Sequence, residues 1–431
     1  MALSEKIIRA YTDILIEELI PAMGCTEPIA IAYASSIASH ALGNLPQVMR
    51  VGLSGNIIKN VKSVIVPATG GMQGIDSAIC AGAVAMSPDK RLEVLCSLGS
   101  EDVEKIKRYK SEAKLEIYEL ETENVFEIHI EAEADGSTVE LQLSKRHTNV
   151  DFVKLNGKDI TSAYATEDDR VERDSTDRSL LNVKDIIDYA EQVDLDLIAP
   201  HIKRQIELNV AIANEGINGE WGAAIGKTLF PREGFNGDVR YLARSLASAG
   251  SDARMNGCEL PVCIISGSGN QGITASVPVY AYWKKAGKYT EEELYRAVIV
   301  SDLITIHQKT GIGCLSAYCG AISAGCGCGC GICFLEGGRY YEIAHTLVNA
   351  LAILSGTICD GAKSSCAAKI AMAVDAGILG YDMTKSGHQF LSGDGIITKG
   401  VENTIKNVSR LARDGMSETD KEIIKIMLGK D

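Results

Sequence analysis

From Gly311 to Leu335 the chain carries no charged side chain, and seven of the residues in that stretch are glycine. Water excludes such a segment, so it must be enclosed by lipid or by protein. Glycine, serine and cysteine dilute its hydropathy below that of an ordinary membrane span. The reading is therefore a central helix of a water-soluble protein, with side chains small enough for neighbouring helices to come close. The cysteines Cys326, Cys328, Cys330 and Cys333 are its most conspicuous residues. Positions two apart on a helix face different sides, and no histidine or acid lies beside them to complete a zinc set. They read as small packing residues.

The flanking sequence is helical as well. Ile7, Tyr11, Ile14, Leu15 and Leu19 recur at helical spacing before Pro21, and an Ala- and Ser-rich helix follows Gly24-Cys25-Thr26-Glu27-Pro28. A loop from Pro67 to Gly74 leads into another helix. Near Pro88 the period changes to two. Leu115 and Ile117, then Phe126, Ile128 and Ile130, then Val139, Leu141 and Leu143 alternate with polar residues as in half-buried strands. Asp135-Gly136 and Asn156-Gly157 mark tight turns. Helices return later, one opening at a Thr290 to Glu293 capping box and a last one at Ser417-Glu418-Thr419-Asp420. The expected fold class is α+β: a mainly helical catalytic domain formed by residues 1–88 and 186–431, interrupted by a small α+β domain over residues 89–185.

The formal charge of −14 opposes extended anionic partners, so neither nucleic acid nor an acidic membrane is expected. The start, Met1-Ala2-Leu3-Ser4-Glu5, shows no basic or apolar leader, and the expected location is the cytoplasm. The 13 cysteines then read as thiols or metal ligands rather than disulfides. Three of them stand at expected helix starts. Cys25 precedes a helix begun by Pro28 and capped by Thr26 or Glu27. Cys319 lies in the first turn after a Ser316 cap, and Cys359 precedes an Asp360 cap. Helix N-termini favour thiolates, and three thiolates can hold a [4Fe–4S] cluster with one iron left open. Spacing alone leaves the alternative of three inert buried thiols standing.

Ser266-Gly267-Ser268-Gly269-Asn270-Gln271-Gly272 is a glycine-rich loop that offers backbone N–H groups to a carboxylate or phosphate. It lacks a P-loop ending, and an ordinary turn explains it equally well. Candidates for proton transfer are Glu27, His307, Lys309 and Lys363.

Taken together, Gly24-Cys25-Thr26-Glu27-Pro28, the Pro67–Gly74 loop, the Ser266–Gly272 loop, Leu315-Ser316-Ala317-Tyr318-Cys319-Gly320, the Ile358 to Ala367 segment and Gly393-Asp394-Gly395-Ile396 resemble the L-cysteine desulfidase family. That family is related to the α chain of iron–sulfur L-serine dehydratase. The resemblance implies an oxygen-sensitive [4Fe–4S] enzyme, a carbon–sulfur lyase that converts L-cysteine to pyruvate, ammonia and hydrogen sulfide. It implies Cys25, Cys319 and Cys359 as cluster ligands, with Cys366 competing for a place. A small amino-acid substrate is expected to meet Thr26, Thr69, Gly70, Ser266, Ser268 and Asn270, and a homodimer is left open. The alternatives are an iron–sulfur L-serine dehydratase, a pyridoxal-phosphate lyase suggested by the Ser266–Gly272 loop, and a non-catalytic amino-acid-binding or regulatory protein.

Overall fold

The computed structural model describes residues 3–165, 176–313 and 316–429. Leu315, part of one family motif, lies outside them. In chain order the first elements are α1 (Glu5–Glu18), β1 (Pro21–Met23), α2 (Thr26–Leu42), β2 (Val48–Leu53), α3 (Gly55–Val61), α4 (Gly74–Ala85) and α5 (Ser100–Glu112). Ser4 caps α1, whose buried stripe of Tyr11, Ile14 and Leu15 is the expected one. Strands β3 (Lys114–Glu119), β4 (Glu127–Ala134), β5 (Ser137–Ser144), β6 (Val150–Leu155) and β7 (Lys158–Asp159) follow.

These strands form one sheet in the order β3-β2-β4-β5-β6-β7, antiparallel except for the parallel β2–β3 pair. Asp135 and Gly136 take φ of 51° and 80°, and Asn156 and Gly157 take 49° and 77°. Both pairs have the positive φ angles of a two-residue hairpin turn. The alternating residues Ile128, Ile130, Leu141, Leu143 and Val153 are fully buried, and α2 packs across β4 and β5. Val48–Leu53 lies between β3 and β4, so the sheet reaches back across the boundary expected at residue 89. The unit is built around a strand that precedes it in sequence. Alternation is short in β2, which is why its sequence did not announce a strand.

The remainder is helical: α6 (Val183–Gln192), α7 (Ala199–Asn218), α8 (Ile225–Leu229), α9 (Val239–Met255), then β8 (Pro261–Cys263), α10 (Gly269–Ala286), α11 (Glu291–Ile312), α12 (Gly320–Leu335), α13 (Tyr340–Leu354), α14 (Cys366–Lys385), α15 (Val401–Arg410) and α16 (Ser417–Leu428). Strand β8 pairs with β1. The Thr290–Glu293 capping box opens α11 as expected. At α16 the cap is Met416, and Ser417 is already helical, because a π-turn over Leu411–Gly415 feeds directly into this helix.

The uncharged stretch forms α12, buried from Ala321 to Leu335 among α10, α11, α13 and α14. Among the described residues no helix is long and apolar enough to cross a membrane. Gly325 and Gly329 lie on Ala373 and Gly377 of α14 so closely that a Cβ at Gly325, Gly329 or Gly377 would strike opposing backbone. Cys326, Cys328, Cys330 and Cys333 are enclosed in the same packing.

Candidate active site

Three thiols were expected at helix starts, and the helices begin elsewhere than expected. Cys25 is itself the cap of α2, with Thr26, Glu27 and Pro28 in the first turn. Cys319 caps α12, while the Ser316 hydroxyl accepts from Tyr318 N at 3.1 Å rather than capping. Residues 359–365 are not helical, and α14 starts at Cys366. An isolated backbone bridge between Tyr318 and Ile358, extended by Cys359 N donating to Ala317 O and Cys319 N to Thr357 O, sets Cys319 beside Cys359.

Cys25, Cys319, Cys359 and Cys366 line one cavity of about 110 Å³. The N-termini of α2, α10, α12 and α14 all reach it, each end carrying unpaired N–H groups and partial positive charge. The wall divides into two halves.

On the first half, Cys319 and Cys359 share a thiol hydrogen bond, which raises Cys319 well above the ordinary thiol range. The same bond, helped against burial by Lys59, the Gly361 N–H and Lys369, pulls Cys359 down to about 6. Burial pushes Cys366 up, and the Cys359 charge adds to it. Behind them Asp360 holds both Lys363 and Lys369 at 2.5 Å. Burial works against the Asp360 carboxyl, but the two ammonium groups take it down to about 2. Lys59 reaches the wall from α3 with its side chain 1% exposed, paired to Asp420 of α16 at 2.5 Å.

On the second half, Glu27 is buried and accepts from Cys25 Sγ at 3.2 Å and Asn60 Nδ2 at 2.9 Å. The Thr26 hydroxyl lies between Glu27 Oε2 and Gly267 O, at 3.0 and 2.8 Å. Burial alone would raise the Glu27 carboxyl. The His147 ring and the Cys25 and Thr26 donors outweigh it and hold the group below its ordinary value. Cys25 goes the other way: burial and the Glu27 charge push its thiol well up. His147 arrives from the loop after β5, its Nε2 buried without a hydrogen-bond partner, and burial lowers its pKa.

The remaining expected residues separate. Lys309, Ser268 and Asn270 line the cavity. Lys363 is held by Asp360 behind the wall, and His307 is bonded to Glu402 Oε2 at 2.7 Å, away from it. Thr69 is fully buried and donates to Val66 O at 2.7 Å, so neither it nor Gly70 reaches the cavity. Ser266 is absent from the wall, and its N–H donates to Glu18.

Lys59, Asn60, His147 and Arg254 went unnoticed in the sequence, and Gln271 was read only as part of the Ser266–Gly272 loop. The signal for Arg254 was present: it is a lone cation near the end of a Ser- and Ala-rich helix that is otherwise apolar or small from Leu246 to Met255 apart from Asp252.

Fold and cavity together define an α+β protein whose helix starts gather thiols, an acid and buried cations around a space of small-molecule size. The chain belongs to the serine dehydratase alpha-chain family, whose match spans residues 89–425. It is 51% identical over 431 residues to a UPF0597 protein of Desulfitobacterium hafniense, covering 100% of this chain and 99% of that one. A UPF0597 protein of Lachnoclostridium phytofermentans is 45% identical over 96% of this chain and 98% of its own. One of Treponema denticola is 41% identical over 99% and 100%. Cys319, Cys359 and Cys366 fall inside the family match, while Cys25 and Glu27 precede it.

Proposed function

We propose that the protein is an iron–sulfur-dependent lyase that cleaves L-cysteine by β-elimination to pyruvate, ammonia and hydrogen sulfide. The observation that carries this reading is the thiol half of the cavity: Cys319 and Cys359 set side by side by the Tyr318–Ile358 backbone bridge, with Cys366 at the start of the adjoining helix.

Among the described residues no three His, Cys, Asp or Glu side chains gather as a single metal ion requires. A cluster spreads its ligands over several irons, so its thiolates need not converge on one point. The donor chemistry fits. Cys359 already favours the thiolate, and Lys59, Lys369 and the ends of α12 and α14 favour negative charge there. Cys25 fits less well as a ligand, since its thiol donates to the buried Glu27 carboxylate, whose charge opposes a second negative charge beside it. Cys319, Cys359 and Cys366 are therefore the proposed ligand set, and Cys366 displaces Cys25 from the set first expected. A [4Fe–4S] cluster held by them supplies a Lewis-acidic iron for the substrate sulfur.

Cys25 and Glu27 handle the proton. Glu27 is held ionised and accepts a hydrogen bond from Cys25 across 3.2 Å. Full transfer of that proton is uphill, because the thiol is raised and the carboxylate held low, so the thiolate forms as a minor species. The Cys25 thiolate then removes the α-proton as the carbon–sulfur bond breaks, and the departing sulfide takes the proton from Glu27, which returns to the carboxylate. A thiol pushed up by burial is a strong base once deprotonated, which suits a weakly acidic carbon. The aminoacrylate left behind tautomerises to the imine, and water hydrolyses it to pyruvate and ammonia. Asn60 keeps the Glu27 carboxylate aimed at Cys25.

The test is an anaerobic rebuilding of the protein with iron and sulfide, followed by metal analysis and a pyruvate assay. Cys319→Ala, Cys359→Ala and Cys366→Ala are each expected to lose iron. Cys25→Ala is expected to keep it and lose turnover by about 10²-fold or more, the usual reach of a general base. Full iron in all three of the first set sinks the ligand assignment. The family description favours L-serine as a second reading. A higher kcat/KM for L-serine than for L-cysteine would replace the first with it.

A further inference from the structure

Arg254 is among the most buried charged residues in the molecule, 2% exposed, and it lines the cavity. Its Nε has no hydrogen-bond partner, and among the described residues no carboxylate lies within ion-pair distance of it. Its surroundings worsen the imbalance. The guanidinium lies against Gly269, the first residue of α10, where an added Cβ would come within 2.8 Å of Cζ and closer still to Nε. A cation is thus pressed against the positive end of a helix, out of water. That arrangement is costly unless an anion completes it.

A second side chain repeats the pattern. Gln271 is 5% exposed, lines the cavity, and leaves Oε1 without a partner. Its amide lies over Gly320, the first residue of α12, where a Cβ would meet Cδ and Nε2 at 2.8 Å. Asn270 on the same wall also leaves Oδ1 unpartnered. Both helices therefore begin with glycine where a polar side chain folds across the helix end. The cavity presents an unpaired guanidinium on one side and two unpaired carboxamide oxygens on another.

We propose that Arg254 anchors the α-carboxylate of a free α-amino acid, while Gln271 and Asn270 receive its ammonium group. A guanidinium offers paired donors to a carboxylate, and an ammonium offers three donors and no acceptor, which matches two orphan acceptors. This assigns the carboxylate to a side chain rather than to the loop N–H groups expected from the sequence. The Ser268 N–H is already committed to Ile265 O at 2.9 Å. The substrate class follows: the site selects an intact amino-acid backbone with both termini free, against amines, amides and esters. The assignment deepens the lyase reading and rests on it only for turnover.

L-alanine, which keeps the backbone and lacks a β leaving group, is the probe, with ethylamine as its carboxylate-free counterpart. Both are titrated calorimetrically into anaerobically rebuilt protein whose iron and sulfide are counted. Arg254→Gln is expected to weaken L-alanine about 10- to 100-fold, the size of a charge-assisted pair. Arg254→Lys falls between, ethylamine is unaffected, and the iron count holds. Unchanged L-alanine affinity in Arg254→Gln overturns the proposal. So does loss of iron with affinity intact, which would make Arg254 a counter-ion of the cluster. Should Arg254→Gln not fold, Gly269→Ala decides, since its Cβ displaces the guanidinium without removing it. The same selective loss of L-alanine supports the anchor, and wild-type affinity refutes it. Arg254-dependent binding of L-alanine without turnover of L-cysteine would keep this subsite and sink the lyase.

Discussion

Gly377→Ala tests how the glycine-lined contact between α12 and α14 builds the thiol half of the cavity. The added Cβ would meet Gly325 O well inside 3.0 Å, Gly325 C at 3.0 Å and Gly329 N at 3.2 Å. Ordinary contact begins at 3.4 Å, so α12 and α14 must part by more than 0.4 Å, and the obstacles are backbone that cannot rotate aside. Overpacking of this kind costs about 1–3 kcal/mol, and a backbone obstacle places it near the top of that range. Replacing a helical glycine returns about 1 kcal/mol. The net destabilisation is about 2 kcal/mol, a fall in melting temperature of about 2 °C for a chain of 431 residues unfolding as one unit. The same movement acts on the site, because Cys319 caps α12 and Cys366 opens α14 at their shared end. Thermal melts of anaerobic protein, with iron counted after rebuilding, measure both effects. Gly356→Ala is the control: it has no heavy atom within 4 Å of its Cβ position and should stay within about 0.5 kcal/mol of wild type. A Gly377→Ala protein that melts with the control and binds full iron would refute the reasoning.

Asp420→Ala should destabilise by about 3 kcal/mol in urea titration, because it strands the enclosed Lys59 ammonium, and Lys59→Met with Asp420→Leu should recover most of that. An unchanged urea midpoint in the single variant would show that the pair is solvated. His307→Ala should keep turnover within about twofold and lose about 1 kcal/mol with its Glu402 partner; a larger fall in turnover would return His307 to the site. Combined replacement of Cys326, Cys328, Cys330 and Cys333 by alanine should lower stability by roughly 1 kcal/mol per site and leave iron unchanged. Loss of iron in that variant would mean the run binds metal after all.

Periodicity made the large elements legible. The three- and four-residue spacing of α1, the alternation in β4 and β5 and the two hairpin turns each follow from local chain chemistry. Helix starts were legible to within a few residues, and that margin decided the site. Asp360 looks like a cap, yet its carboxylate holds Lys363 and Lys369 and the chain stays extended to pair with Ala317. Gly361, at φ 91°, makes that path available: its Cβ position falls on Lys59 O, so the loop lies directly on α3. No local pattern announces a contact between residues three hundred positions apart. The same holds for Lys59, Asn60 and His147, ordinary polar residues in sequence whose roles come only from what the fold packs beside them.

The two halves of the cavity have separate origins, and this bears on how the chemistry is held together. Thiols come from residues 319–366, within the family match, whereas Cys25, Glu27, Lys59 and Asn60 come from the segment before it. Between them in sequence lies the sheet, which sends His147 against Glu27 while α2 covers its inner face. The acid half is thus tied to the sheet, and the thiol half to α12 and α14. Among the contacts that tie α2 and α3 to the rest of the site are Lys59 reaching Asp420, Gly361 seated on Lys59 O, and Thr26 reaching Gly267 O. Each of these contacts runs through α2 or α3, whose residues supply the proton-handling groups. Displacing α3 would therefore withdraw Lys59 from Cys359 and Asn60 from Glu27 at once. The cation that favours the thiolate and the amide that aims the base are neighbours in sequence because one short helix serves both halves.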